Sequence, residues 1–118
     1  NRLEQVCINL LLNARDAIEE RAETEPDAPR RITLATRRRD SMVTIEVADS
    51  GPGVPAQLRG RIFEPFYTTK KVGKGTGLGL SISYGLIKDF GGTIQVAAAP
   101  QGGAAFIIRL PAARDHDA

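Results

Sequence analysis

Apolar residues recur with a helical period from the start of the chain. Leu3, Val6, Cys7, Leu10, Leu11, Ala14, Ala17 and Ile18 fall at the i, i+3, i+4, i+7 spacing of one buried face, which predicts a helix from about Arg2 to Arg21. The acidic run Glu23 to Pro29, with two prolines, ends it and makes a loop. The period then shortens to two. Ile32, Leu34 and Thr36 alternate with polar neighbours, as do Val43, Ile45 and Val47, with Arg39-Asp40-Ser41 as the hairpin turn between two strands. The segment Asp49 to Pro55 (DSGPGVP) breaks the second strand, and Gln57 to Ile62 suits a short helix. From Glu64 to Thr76 the chain reads as irregular, with Pro65, Gly73, Gly75 and the lysines Lys70, Lys71 and Lys74. A second helix is expected over Leu78 to Phe90, with Ile82, Leu86 and Phe90 on one face and Gly91-Gly92 as its C-terminal cap. Two further strands, Thr93 to Ala98 and Ala104 to Leu110, are joined by PQGG, and a frayed tail follows from Pro111. This order predicts an α+β fold: a two-layer α/β sandwich with helices on one face of a mixed sheet.

Composition narrows the function classes. A chain of 118 residues suits one domain, and burying roughly two-thirds of its unfolded surface lets it fold without disulfides. The single cysteine, Cys7, falls in the apolar stripe of the first helix and reads as core packing. With no Cys/His cluster for a metal, this usage fits a reducing compartment. No apolar run reaches the length of a membrane span or has the form of a signal peptide. The lone histidine, His116, lies in the polar tail, so histidine-led catalysis within the chain is not expected. The formal charge is +2, and its basic clusters, Arg30-Arg31 and Arg37-Arg38-Arg39, lack interleaved aromatics. They read as a solvated strand edge protected by charge, not as a nucleic-acid patch. Residue 1 is Asn and helical periodicity begins at once, as expected of an excerpt from a longer protein.

Three segments carry candidate chemistry. In the first helix Gln5, Asn9, Asn13 and Asp16 form a polar stripe, with Asn9 and Asn13 stacked one turn apart. Carboxamide oxygens are hard, neutral ligands suited to a Mg²⁺ already held by phosphate oxygens and water; solvated or capping side chains would give the same pattern. In DSGPG, Asp49 stands at a strand end before Gly51 and Gly53. A buried carboxylate there can accept from an exocyclic amine while the glycines let the backbone approach a flat ligand, although the same residues also make ordinary turns. In GKGTGLGLS, Gly73, Gly75, Gly77 and Gly79 alternate directly into the second helix. Free amides at a helix start make an anion site. The spacing matches neither the dinucleotide fingerprint nor the P-loop, which leaves a phosphate loop of another kind or a linker.

In this order the segments resemble the ATP-binding catalytic domain of bacterial sensor histidine kinases, within the gyrase, Hsp, histidine kinase and mismatch-repair ATPase superfamily. NLLLNARDA (Asn9 to Ala17) resembles the N box, DSGPG (Asp49 to Gly53) the first glycine box, and FEPFYTTK (Phe63 to Lys70) the F box. GTGLGLS (Gly75 to Ser81) resembles the second glycine box, while GGTIQV and GGAAFIIRLP resemble the closing strands. The short lid and the FYTTK and NARDA variants are most similar to the nitrogen-regulation and dicarboxylate-sensor branch. The resemblance implies a Bergerat-type fold over residues 1–111, truncated at its N-terminus, with residues 112–118 as a disordered tail. It implies Asn13 as a Mg²⁺ ligand and Asn9 beside the same ion or the ATP phosphates. Asp49 would accept from the adenine amine, with Gly51 and Gly53 shaping the pocket. Phe63 and Phe66 would anchor the lid, and Lys70 is a candidate phosphate contact. Gly75, Thr76, Gly77, Leu78, Gly79 and Leu80 would supply the lid hinge and its phosphate-facing backbone.

Two departures from the family pattern matter. Asp16 stands where many members carry a basic residue, so a basic phosphate contact would come from Arg15 or the lid lysines. The segment before the N box, with its phosphoacceptor histidine, is absent from the sequence. Relatives that hydrolyse ATP carry a Glu one turn before the magnesium Asn, where this chain has Asn9. A carboxamide is a poor base, so the implied activity is γ-phosphoryl transfer from Mg·ATP to a histidine on a separate dimerisation domain, with little turnover by this segment alone. A response-regulator receiver domain would be the onward partner and the cytoplasm the location; no nucleic acid and no membrane contact are expected. The alternatives are a serine kinase of the anti-sigma-factor type and a docking module of the same fold.

Overall fold

The computed structural model of the chain describes residues 2–65, 67, 79–100 and 102–112. Helix α1 (Arg2–Thr24) buries Val6, Leu10, Ala14 and Ile18, one residue per turn. Val6 and Leu10 are fully enclosed, and removing each from water is worth about 1.5–3 kcal/mol. The helix continues past the expected Arg21. Glu25 N–H donates to the Arg21 carbonyl at 2.9 Å and Arg21 Nε donates to Glu25 Oε2 at 2.6 Å, holding a last turn before Pro26 stops the helix. Cys7 is half-buried, and burial raises its thiol pKa, as suits a packing residue.

Strands β1 (Ile32–Arg39) and β2 (Met42–Asp49) form a hairpin closed by the Arg39–Met42 pair, with Asp40 taking the turn at a φ of 55°. In place of the expected short helix over 57–62 there is one turn of 3-10 helix, Ala56–Leu58. Successive turns bond three residues apart (Leu58 to Pro55, Arg59 to Ala56, Arg61 to Leu58), so only Ile62, bonded to Leu58, closes an α-type turn. Helix α2 (Gly79–Asp89) ends in the expected glycine cap: Gly92 N–H donates to Ile87 and Gly91 N–H to Lys88, with Gly91 at a φ of 78°. Strands β3 (Thr93–Ala98) and β4 (Ala104–Pro111) complete the described elements.

The sheet order is β1-β2-β4-β3, with every pairing antiparallel. This corrects the mixed sheet expected from the sequence. β2 and β3 run in the same direction across the α2 crossover, but β4 inserts between them and no parallel pair forms among the described residues. The helices cover one face, as expected of an α+β sandwich. Ile45, Val47, Phe106, Ile108, Ile94 and Val96 meet α1 and α2 there and form the core. A second correction concerns α2. Ile82 and Phe90 are exposed, and the buried positions are Ser83 and Ile87, with Leu80 and Leu86 partly buried beside them.

Candidate functional site

The site is built where the end of β2 meets the polar side of α1. Asp49 closes β2 with its side chain only 4% exposed. Its Oδ1 accepts from Gly51 N–H at 2.8 Å and from Ala104 N–H at 3.3 Å. Burial pushes the carboxyl pKa up, and these two backbone donors pull it partly back. Gly103 permits the arrangement: it sits at a φ of 82°, and a Cβ there would run into the Asp49 backbone carbonyl. The next residue, Ser50, is a junction. Its Oγ donates to the Pro29 carbonyl at 2.6 Å and accepts from Arg31 N–H at 2.8 Å, while its own carbonyl accepts from Arg21 Nη1 at 3.0 Å. The loop after β2 is thereby tied to the end of α1 and the entry of β1.

Gly51 is buried against α1, where a Cβ would stand 2.7 Å from that of Ala17. Ala17 lies one turn beyond Asn13, and Asn13 one turn beyond Asn9. The carboxylate loop and the asparagine stripe therefore line one stretch of helix. Asn9 and Asn13 are both half-buried, and Asn9 Nδ2 donates to Ser83 Oγ on α2 at 3.4 Å. Gly53, at a φ of 81°, faces the Gly103 carbonyl. Phe63 packs its ring 6.2 Å from Phe106 in a T-shaped contact and 5.5 Å from Tyr84 of α2. Gly79 and Leu80 open α2, the first exposed and the second partly buried. Arg15 lies against its neighbour Asp16 at 3.1 Å, so this candidate for a basic phosphate contact already has a carboxylate partner. Phe66, Lys70, Gly75, Thr76, Gly77 and Leu78 lie outside the described residues, as do the lysines Lys71 and Lys74 and the tail from 113 onward.

The structure thus seats Asp49 and Gly51 against α1 one turn beyond Asn13, joins Asn9 to α2, and sets Gly53 against Gly103 and Phe63 against Phe106 and Tyr84. Sequence reasoning missed Ser83, Ser50, Arg21 and Gly103. The available signals were a serine within an apolar helix and the second glycine of a Gly-Gly pair. A hollow lined by Arg31, Thr33, Glu46 and Ala48 opens beside the end of β2 and reaches Asp49 and Ser50.

Residues 1–114 match the family model described as histidine kinase-, DNA gyrase B-, and HSP90-like ATPase. The chain is 48% identical over 121 residues to the two-component sensor PprA of Pseudomonas aeruginosa, covering all of this chain and 13% of that protein. It is 44% identical over 101 residues to the C4-dicarboxylate transport sensor DctB of Rhizobium meliloti, covering 86% of this chain and 15% of DctB. The solved structure of full-length ShkA in complex with AMPPNP matches with a TM-score of 0.77 and 34% identity, over 93% of this chain and 21% of that one. The chain belongs to the histidine kinase-, DNA gyrase B-, and HSP90-like ATPase family. Its relatives are sensor kinases, among them the dicarboxylate sensor that the sequence resembled. It spans only 13% to 15% of the length of these two relatives.

Proposed function

We propose that this chain is the ATP-binding catalytic domain of a sensor histidine kinase, formed by residues 1–111. It binds ATP and presents the γ-phosphoryl to a histidine on a separate dimerisation domain of the same protein. The observation that carries the reading is the buried Asp49 carboxylate. Both backbone donors engage Oδ1, which leaves Oδ2 to accept from the adenine amine, with Gly51 and Gly53 giving the ring its close approach. The two asparagines fit a magnesium ion brought in on the phosphates, because half-buried carboxamides offer hard neutral oxygens without adding charge. Asn13 would hold it, with Asn9 beside it. When bound, the ion neutralises charge on the β- and γ-phosphates.

The chain's own part is positioning. Asp49 fixes the base, α1 lines up the phosphates, and Gly79 and Leu80 open α2 beyond the glycine-rich segment. The attacking imidazole nitrogen forms a bond to the γ-phosphorus as the bond to the β–γ bridging oxygen breaks, and ADP leaves. Asn9 is a poor base for activating water, which keeps the phosphoryl for the protein nucleophile. The onward acceptor is an aspartate of a response-regulator receiver domain, and the setting is cytoplasmic, where ATP is available. Among the described residues no helix is long and apolar enough to cross a membrane.

The test mixes the chain with γ-labelled ATP, Mg²⁺ and a dimerisation domain from a relative. The expected product is label on that domain, lost in acid and retained in base, with little phosphate released by the chain alone. Acid-stable label would indicate a serine kinase. Rapid steady hydrolysis by the isolated chain would overturn the transfer reading.

A further inference from the structure

Ser83 is fully enclosed on the core side of α2, at a position where an apolar side chain would pack without needing a partner. Its hydroxyl instead receives Asn9 Nδ2 at 3.4 Å from α1, across 74 residues of sequence. We propose that Ser83 is a positioning residue for Asn9, an inference that rests on the nucleotide site argued above. A carboxamide is planar, with its oxygen and nitrogen on opposite arms. Holding Nδ2 against the buried hydroxyl fixes the plane and leaves Oδ1 as the arm for the phosphate–magnesium group. An unheld Asn9 would have to give up rotamer freedom when the nucleotide arrives. At 3.4 Å the contact lies at the long end of hydrogen-bond distances. Because Ser83 stands four residues beyond Gly79, the same bond sets the first turn of α2 in register with the asparagine stripe. Supporting groups behind a metal ligand commonly change metal affinity about tenfold or more when removed.

Calorimetric titration of the chain with ATP, once with Mg²⁺ and once with EDTA, isolates this role. Wild type should bind ATP more tightly with Mg²⁺. Ser83→Ala should lose about tenfold of that enhancement while binding ATP in EDTA as wild type does. Asn9→Ala should lose the enhancement too, and adding Ser83→Ala to it should change nothing further. Should Ser83→Ala fail to fold, Ser83→Cys, a weak acceptor of similar size, makes the same comparison. An unchanged Mg²⁺ enhancement in the Ser83 variant, or an equal loss with and without Mg²⁺, overturns the positioning role alone. A wild type that binds no nucleotide, or binds it with no Mg²⁺ enhancement, overturns the reading of the site and this inference with it.

Discussion

Burial of the Asp49 carboxylate works against the stability of the fold at neutral pH. Its pKa lies above the ordinary 3.8, because desolvation outweighs the two backbone donors. The folded state therefore holds the proton more readily than the unfolded chain. The stability this contributes is complete below about 3.8 and is lost as pH rises through the raised folded value. At neutral pH the ionised group sits in place at a cost, the sign expected of a residue kept for recognition. Asp49→Asn retains a carbonyl oxygen for Gly51 and Ala104 and removes the charge. The unliganded variant should melt at or above the wild-type temperature at pH 7, with the advantage vanishing at pH values where Asp49 is protonated. In the proposed adenine site its new amide would meet the adenine amine donor to donor, so ATP affinity should fall by about 1.5–3 kcal/mol, the worth of one charge-assisted hydrogen bond. Thermal melts across pH and calorimetry measure the two halves separately. Unchanged ATP affinity would remove Asp49 from the adenine site, and a lower melting temperature at pH 7 would refute the cost of burial.

Between elements, the decisive contact is the seating of the loop after β2 on α1. A Cβ on Gly51 would stand 2.7 Å from the Ala17 Cβ and 2.9 Å from its carbonyl oxygen. Gly51→Ala should therefore cost about 1–3 kcal/mol through overpacking. Ala17→Gly should cost about 1 kcal/mol through helix propensity. In the double variant part of the clash is gone, so urea denaturation should show it more stable than the sum of the singles by about 0.5 kcal/mol or more. Simple additivity would mean that the backbone alone sets the seat. This contact was not legible in the sequence, because Gly51 and Ala17 each look ordinary until the fold apposes them. The asparagine stripe and the DSGPG turn were legible, since helical spacing and motif order are local properties. The inward face of α2 was not. Leu80, Ile82, Tyr84, Leu86, Ile87 and Phe90 place apolar groups on several sides of the helix, so periodicity cannot choose among them. Packing against α1 selected the side that carries Ser83.

Across the whole molecule, the core is off-centre. By register Ile32 lies opposite Asp49 and Leu34 opposite Val47, on the sheet face that carries the helices. Yet Leu34 is 55% exposed and Ile32 40% exposed, while Val47 is fully buried. α1 packs chiefly on β2 and α2 on β3, while β1 is an edge strand that α1 meets only in part, with Arg37, Arg38 and Arg39 also exposed. Alternation in β1 announced an apolar face correctly but could not say whether anything covers it, because coverage depends on where helices dock and not on strand period. Hydrophobic stabilisation follows area removed from water, so two leucines of equal hydrophobicity should contribute unequally here. Leu34→Thr should shift the unfolding free energy of this chain by no more than about 0.5 kcal/mol. Leu10→Ala, at a fully enclosed position of α1, should cost about 2–5 kcal/mol through lost transfer energy and the cavity left behind. Urea denaturation of both variants makes the comparison. Similar losses would mean that Leu34 is buried as deeply as Leu10, contrary to its exposure at the sheet edge.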